Sequence, residues 1–332
     1  MNSPEYAITA EGLRKRFGTT QALDGVDLAV KPGMVLGVLG PNGAGKTTTI
    51  RILATLLRAD SGHATVAGFD VAKQPADVRR TIGLTGQYAS VDEDLTGTQN
   101  LVLIGQLLNL STRDARARAA ELLAWFDLSD AAGRIAKNYS GGMRRRLDLA
   151  ASLVGRPSVI FLDEPTTGLD PAKREDMWDV VRNLVTDGST VLLTTQYLDE
   201  ADALADEISV IDHGKVIAHD TPDGLKRVIG GHRIMVRPTN PDDVQRAVGV
   251  LTAIGSSAPE VTARNTITVP VTGEAALATT VERLAAEGIS VTELSLHLPS
   301  LDEVFMTLTG RTTNSDSDLD PTGRNNKKEV AA

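Results

Sequence analysis

Residues 40–47 read Gly40-Pro41-Asn42-Gly43-Ala44-Gly45-Lys46-Thr47 and lie between an apolar run at 34–39 and a helical pattern at 46–57. They fit the spacing G-x-x-x-x-G-K-[ST], in which successive backbone N–H groups turn inward around a phosphate. Glycine at 43 and 45 removes side chains that would block those amides, and the helix adds its positive N-terminal end. A chance match in a chain of this size has a probability on the order of one per cent. The pattern therefore predicts a phosphate-binding loop.

The positions of this loop have separate expected roles toward a nucleotide. Lys46 is expected to reach the β- and γ-phosphates, and the hydroxyl of Thr47 is expected to bind Mg²⁺. The predicted nucleotide-binding residues of the loop are Gly40, Pro41, Asn42, Gly43, Ala44, Gly45, Lys46, Thr47 and Thr48.

A pair of acidic residues, Asp163 and Glu164, directly follows the apolar run at 159–162. Ligands of a parallel sheet bind at the carboxyl ends of its strands, which is where both carboxylates would emerge. Asp163 would then hold Mg²⁺ through its water shell, and Glu164 would polarise the water that attacks the γ-phosphate. An apolar strand that ends in acids is, taken alone, more often a solvated strand end. The phosphate-binding loop upstream favours the catalytic interpretation.

The composition argues against several classes of protein. The 332 residues include no cysteine, which excludes disulfides, thiol catalysis and cysteine metal sites. The 34 basic and 43 acidic side chains leave a net charge of −9, which argues against a nucleic-acid partner. No apolar run approaches the ~18–20 residues that span a bilayer, and no secretory signal is evident at the N-terminus. We therefore expect a soluble protein of a reducing compartment.

The first 230 residues are predicted to form an α/β domain. Short β-rich runs alternate with helical patterns between residues 6 and 229, which favours a parallel sheet with helices on both faces. The block at about 88–157 is helical throughout and is predicted to be an inserted subdomain. A linker is predicted at Gly230 and Gly231.

A smaller α+β domain is predicted at 231–310. Its order of strand, helix, two strands, helix and strand matches the ferredoxin-like pattern, with a hairpin turn at Arg264 and Asn265. A last helix at 301–308 has apolar residues at 301, 304, 305 and 308, which is ordinary core spacing. Residues 311–332 have almost no large apolar side chains and are predicted to be a disordered tail.

Further segments resemble, in order, the motifs of the ABC transporter ATP-binding subunits. Phe17 lies where that family stacks an aromatic ring on adenine, and Gln87 lies where the family has its Q-loop glutamine. The string NYSGGM at 138–143 resembles the ABC signature, and DEPTTGLD at 163–170 resembles a Walker B motif that runs into a D-loop. The resemblance implies an ABC-type P-loop ATPase domain.

Other strings resemble one branch of that family more closely. TGQYASVD at 85–92, the segment 139–149, TTQYLDEAD at 194–202 and LPSLDEVF at 298–305 look like the DrrA-type daunorubicin/doxorubicin-resistance ATP-binding subunits of bacteria. The likeness covers almost the whole chain before the tail. It implies the ATPase of a drug exporter that acts on an amphiphilic drug or a lipid.

The resemblance implies ATP and Mg²⁺ as cofactors and assigns roles beyond the loop. Catalytic roles fall on Glu164, Gln196 and Gln87, and metal contacts on Thr47, Gln87 and Asp163. The residues implied to contact a nucleotide outside the loop are Phe17, Ser140, Gly141, Gly142 and Asp170.

Gln196 departs from the general ABC pattern, which has a switch histidine at this position. A glutamine amide donates a hydrogen bond to phosphate but does not carry a proton near neutral pH. If catalysis needed a histidine proton, the protein would be inactive. We favour an orienting role for Gln196, because Glu164 is retained as the water-activating carboxylate.

The resemblance also implies partners. A second ATPase chain, either an identical copy or a paired subunit, would close over the nucleotide, and a separate membrane permease would bind near Gln87 and the helical block. The chain would then lie at the cytoplasmic face of the cell membrane. An importer ATPase and a non-transport ABC ATPase are the alternatives. The C-terminal domain is either a ligand sensor or, as we favour, a packing and assembly module.

Three arginines, Arg144, Arg145 and Arg146, fall in the early turns of the predicted helix that follows the signature. Cations there oppose the helix dipole by roughly 0.3–1 kcal/mol each, which a triphosphate on a second subunit would offset. Solvated arginines, or partners for acidic residues on a neighbouring segment, are at least as good an interpretation.

Overall fold

A computed structural model describes residues 5–86, 91–229, 232–262 and 264–310. The predictions made for Gln87, for Gly230 and Gly231 as a linker and for the tail 311–332 fall outside these residues.

A six-stranded sheet forms the centre of the N-terminal unit and has the strand order β10-β9-β3-β8-β7-β6. Strands β9, β3, β8, β7 and β6 run parallel, and β10 pairs antiparallel with β9. All residues of β3, β7 and β8 are buried, which agrees with their nearly continuous apolar sequences. The predicted parallel sheet is confirmed. Its strands are β3 (Val35–Leu39), β6 (Ile82–Thr85), β7 (Val159–Asp163), β8 (Thr190–Thr195), β9 (Glu207–Asp212) and β10 (Lys215–Asp220).

Helices cover this sheet and form the inserted block. Helix α1 ends at Leu53 instead of near residue 57, because Thr55 adopts a left-handed conformation with a φ of 64°. The helices of this unit are α1 (Lys46–Leu53), α2 (Pro75–Thr81), α3 (Gly97–Leu107), α4 (Thr112–Trp125), α5 (Gly141–Ser152), α6 (Pro171–Thr186), α7 (Leu198–Leu204) and α8 (Pro222–Ile229).

An antiparallel sheet that the sequence patterns did not predict in full has two strands before the phosphate loop and two after it. Its order is β2-β1-β4-β5, and its β1–β2 register shifts at three places between Ala10 and Arg16. These irregularities break the two-residue alternation that identifies a strand, and residues 26–30 are the part of the pair whose sequence predicts a strand. The strands are β1 (Ile8–Phe17), β2 (Thr20–Val30), β4 (Ser61–Val66) and β5 (Phe69–Asp70).

The C-terminal unit has the ferredoxin-like order that was predicted. Its four strands pair antiparallel in the order β12-β13-β11-β14, and the predicted hairpin turn contains Asn265 with a φ of 58°. Ile234, Val269 and Leu251 belong to its buried core. The elements are β11 (Arg233–Pro238), α9 (Val244–Thr252), β12 (Glu260–Val261), β13 (Ile267–Pro270), α10 (Ala275–Ala286), β14 (Val291–His297) and α11 (Leu301–Thr309).

Helix α11 buries its apolar face against the N-terminal unit, while its Glu303 pairs with Arg233 of the C-terminal sheet at 2.9 Å. Leu301 and Val304 are buried in one cluster with Leu198 and Ala201 of α7 and Leu225 of α8. Its apolar spacing indicated a buried face correctly, but periodicity does not identify the surface that covers such a face. The C-terminal unit is thereby joined to the helix that follows Gln196.

Candidate active site

The phosphate loop connects β3 to α1 and fits closely against neighbouring backbone. A Cβ atom at Gly40 would lie 2.2 Å from the carbonyl oxygen of Ile211, and one at Gly45 would lie 2.7 Å from that of Ala22. Gly45 also has a φ of 114°, which L side chains rarely adopt. Only glycine therefore allows the loop to take this path between β2 and the end of β9.

The ammonium group of Lys46 lies at the centre of the loop. Its Nζ donates to the carbonyl oxygens of Gly40 at 2.7 Å and Pro41 at 3.3 Å, and it lies 4.0 Å from Oε1 of Glu164. Burial lowers the pKa of Lys46, and the carboxylates of Glu164 and Asp163 oppose that shift. Among the described residues no carboxylate lies within hydrogen-bond distance of Nζ, so the cation can turn toward a polyanion in the loop.

Eight residues at 41–48 share one cavity of about 310 Å³ with three residues from elsewhere in the sequence, Phe17, Ala22 and Glu164. Phe17 is 49% exposed, and the ammonium of Lys15 lies 5.7 Å from its ring centroid. The structure thus brings an aromatic surface, a ring of amides and a carboxylate to one opening. The cavity is lined by Phe17, Ala22, Pro41, Asn42, Gly43, Ala44, Gly45, Lys46, Thr47, Thr48 and Glu164.

Asp163 lies at the end of β7 and is buried beside the loop. Its Oδ1 accepts hydrogen bonds from Thr47 Oγ1 at 3.2 Å and from Thr194 Oγ1 at 2.6 Å. A hydroxyl and a carboxylate oxygen are ligands that Mg²⁺ accepts, and Mg²⁺ commonly takes only one or two carboxylates together with phosphates of the substrate. In the described part of the chain no cluster of three His, Cys, Asp or Glu side chains could hold a metal ion. Thr47 and Asp163 therefore fit a Mg²⁺ that is shared with a nucleotide.

Glu164 has a strained backbone. Its φ is 51°, in the left-handed region, which costs on the order of 1–3 kcal/mol for a residue with a side chain. Its N–H donates to the carbonyl oxygen of Thr194 at 3.0 Å, and its own carbonyl accepts from Nη2 of Arg145 at 3.2 Å. The sequence reasoning did not identify Thr194. Thr194 lies opposite Asp163 on the neighbouring strand, and that pairing could have identified it as a partner of Asp163.

Gln196 leaves the sheet at the same edge as the loop and Glu164. It follows β8, which lies between β3 and β7, and its side chain is exposed. The next residue, Tyr197, lies under the guanidinium of Arg174 at 5.1 Å, and Arg174 also pairs with Asp199 at 3.4 Å. Gln196 does not line the cavity. The segment after it contacts Arg174 of α6.

The signature and D-loop residues lie outside this cavity. Ser140 caps α5 by accepting from the N–H of Met143 at 3.3 Å, and Asp170 caps α6 by accepting from the N–H of Lys173 at 3.0 Å. Both caps are exposed, as is Gly141. The surface formed by Ser140, Gly141, Gly142 and Asp170 is therefore available to another molecule.

The three arginines of α5 have partners on neighbouring segments. Arg144 pairs with Glu93 at 2.7 Å, and Arg146 pairs with Asp127 at 3.6 Å and donates to the carbonyl of Phe126. Arg145 turns toward the sheet and donates to backbone carbonyls. Of the two interpretations of this cluster, these contacts favour partners within the chain.

Known families match both units. Residues 23–167 match the ABC transporter family, and residues 221–309 match the family of C-terminal domains of DrrA1-3-like ATP-binding proteins. The second match begins at α8 and includes α11, which are the two helices that pack together here. Over the described residues, no helix has the length and apolar character that crossing a membrane requires.

Two similar proteins match this chain over more than 90% of its length. The chain is 56% identical to the daunorubicin resistance ATP-binding protein DrrA2 of Streptomyces coeruleorubidus, over 94% of this chain and 98% of that protein. It is 54% identical to the daunorubicin/doxorubicin resistance ATP-binding protein DrrA of Streptomyces peucetius, over 92% and 93%. A dimeric ATP-binding cassette solved in a post-hydrolysis state with ADP and Pi matches with a TM-score of 0.60 and 25% identity, over 64% of this chain and 98% of that one.

Proposed function

Since this chain belongs to the family of daunorubicin/doxorubicin resistance ATP-binding proteins, a branch of the ABC transporter ATPases, we propose that it uses Mg-ATP to power export of an amphiphilic compound. It is an ATP-binding subunit of the ABC type, and the class of its reaction is ATP hydrolysis coupled to transport. The observation that carries the proposal is the single cavity in which Phe17, the phosphate loop and Glu164 meet.

Different residues of the chain bind the nucleotide and activate water. Loop amides and Lys46 bind the phosphates, and Phe17 stacks on the base. Glu164 accepts a proton from water as the water oxygen bonds to the γ-phosphorus, and the bond from that phosphorus to the β–γ bridging oxygen breaks to give ADP and phosphate. When bound between Thr47 and Asp163, Mg²⁺ would neutralise phosphate charge that develops in this step.

Two chains are needed to complete the site in this proposal. Ser140 and Gly141 begin a helix of 12 residues whose positive end is exposed and lies outside the chain's own cavity. We infer that this end binds the γ-phosphate on a second protomer, while Gln196 orients the reacting groups by a hydrogen bond. Gln87 is proposed to join the metal contacts, as the family pattern implies.

A separate permease is the second proposed partner. Leu103, Leu107 and Leu108 are 43%, 74% and 42% exposed along and after α3, on the helical block. A side chain such as Leu107 gains free energy when it is covered, at roughly 25 cal/mol per Å² of apolar surface. We propose that a cytoplasmic helix of the permease covers these leucines, which would hold the chain at the cytoplasmic face of the membrane.

Export of a drug or lipid is favoured over import by the relatives, which are daunorubicin and doxorubicin resistance ATP-binding proteins. The alternative, an importer, would share every residue of the hydrolytic site. Identity of the membrane partner distinguishes the two, because an importer requires a solute-binding protein as well.

The proposal is tested by co-expressing the chain with a candidate permease. Inverted vesicles that contain both should accumulate daunorubicin when ATP is added, and vesicles with Lys46→Ala should not. Glu175→Gln, an exposed change on α6, is the matched control and should transport normally. Uptake without ATP, or normal uptake with Lys46→Ala, would contradict the proposal.

A further inference from the structure

Arg145 is the α5 arginine that turns inward, and its side chain is only 16% exposed. Its guanidinium donates to three backbone carbonyl oxygens, those of Gly86 at 2.7 Å, Pro165 at 3.0 Å and Glu164 at 3.2 Å. The planar fork of arginine matches such a set of fixed acceptors, which a lysine ammonium could not satisfy together. One side chain thus connects the helix that begins at the signature with two separate strand ends.

The two strand ends that Arg145 contacts both carry functional residues. Gly86 follows β6 and directly precedes Gln87, while Glu164 and Pro165 follow β7. Glu164 is the residue whose backbone occupies the left-handed region, so its conformation must be imposed by its surroundings. The Glu164 N–H donates to the Thr194 carbonyl and the Glu164 carbonyl accepts from Arg145, so hydrogen bonds hold the backbone of Glu164 on both sides.

The charges near Arg145 keep it in this position. Asp148 lies 3.7 Å from Nη1, one turn further along α5. Burial lowers the pKa of the guanidinium, and the carboxylates of Asp148, Asp163 and Glu200 oppose that shift. Arginine keeps its charge in proteins, so the guanidinium is attracted toward these carboxylates, and its hydrogen bonds to neutral carbonyls are charge-assisted.

We propose that Arg145 is a positioning residue that sets the backbone of the water-activating Glu164 from the signature helix. The proposal rests on the assigned role of Glu164 as the proton acceptor. Arg145 touches no reacting atom in this scheme. Its loss should therefore lower the rate of the chemical step while ATP binding, which depends on the loop and Phe17, stays the same.

A double-mutant cycle with Glu164→Gln tests this proposal, since residues that act through one another give non-additive effects. Arg145→Gln in the otherwise unaltered chain is expected to lower kcat roughly 10- to 100-fold, with less than a twofold change in the KM for ATP. Arg145→Lys, which keeps the charge but loses the fork, should show a similar loss. In the Glu164→Gln background, single-turnover cleavage of labelled ATP should change less than twofold when Arg145→Gln is added.

Other outcomes would overturn the proposal in distinguishable ways. Equal losses from Arg145→Gln in both backgrounds would show that Arg145 does not act through Glu164. A loss confined to ATP affinity, or a loss explained by unfolding in thermal melts of both variants, would assign Arg145 a structural role. Arg146→Gln is the matched control and should leave kcat within twofold. Normal turnover by Glu164→Gln alone would remove the assigned role of Glu164 and this proposal with it.

Discussion

The Nζ atom of Lys46 and Oε1 of Glu164 lie 4.0 Å apart across the phosphate loop, close enough for attraction but beyond a hydrogen bond. Each group is therefore electrostatically coupled to the other without a hydrogen bond between them. The two residues can be tested separately by mutation, because Lys46 binds the phosphates and Glu164 acts on water.

Glu164→Gln should abolish most turnover and keep binding. Loss of a general base is expected to lower kcat by about 10²–10⁴. Affinity for ATP should stay equal or rise, because a negative charge near Lys46 is removed. Phosphate release measures the first effect, and size-exclusion chromatography with ATP should show dimers accumulating. A variant that hydrolyses ATP at the normal rate would show that Glu164 is not the base.

Phe17→Ala should weaken ATP binding through the base alone. Loss of stacking is expected to cost about 1–3 kcal/mol, or roughly 5- to 150-fold in Kd. Phe17→Trp, which keeps a flat ring, should bind ATP within about threefold of the unaltered chain. Inorganic tripolyphosphate, which has no base, should bind both variants equally in calorimetry. An equal loss for tripolyphosphate would mean that Phe17 supports the loop and not the base.

The glutamine at position 196 should give kcat a pH dependence that differs from that of an enzyme with histidine at this position. Because glutamine does not titrate, kcat of the unaltered chain should have no limb near pH 6.5, the ordinary pKa of histidine. Gln196→His should remain active and gain such a limb. Gln196→Ala should lose roughly 10- to 100-fold, since one hydrogen bond to a charged group is removed. Full activity of Gln196→Ala across the pH range would refute an orienting role.

Glu200 predicts how stability depends on pH. It is fully buried, and burial raises its pKa, partly opposed by the polar side chains of Thr195, Thr166 and Trp178 nearby. A carboxyl group with a raised folded-state pKa stabilises the fold most when protonated. That contribution is present below its ordinary pKa and is lost as pH rises through the raised value.

Glu200→Gln should therefore raise the melting temperature at pH 8 by more than at pH 5. Thermal unfolding followed by circular dichroism measures both values. Glu282→Gln, an exposed change on α10, should leave the pH dependence as it is. A lower melting temperature for Glu200→Gln at pH 8 would show that the buried charge is fully compensated.

The sequence predicted the features that depend on local pattern. The loop at 40–47, the parallel order of the central strands and the acidic residues after β7 all follow from spacing and from the placement of ligands at strand ends. The contacts of Arg145 could not be predicted this way, because its partners lie far away in sequence. Gly86 is 59 residues away, and Glu164 and Pro165 are 19 and 20 residues away. Strands β1 and β2 were mostly missed because bulges disturb their alternation.

Helix α11 has a consequence for how the chain can be divided. A cut at the predicted boundary near residue 230 would remove Leu301 and Val304 from the fragment. Leu198, Ala201 and Leu225 would then form an exposed apolar patch on the isolated ATPase fragment. That fragment should aggregate where the full chain does not. Helix α11, near the end of the described chain, therefore completes the apolar core of the N-terminal unit.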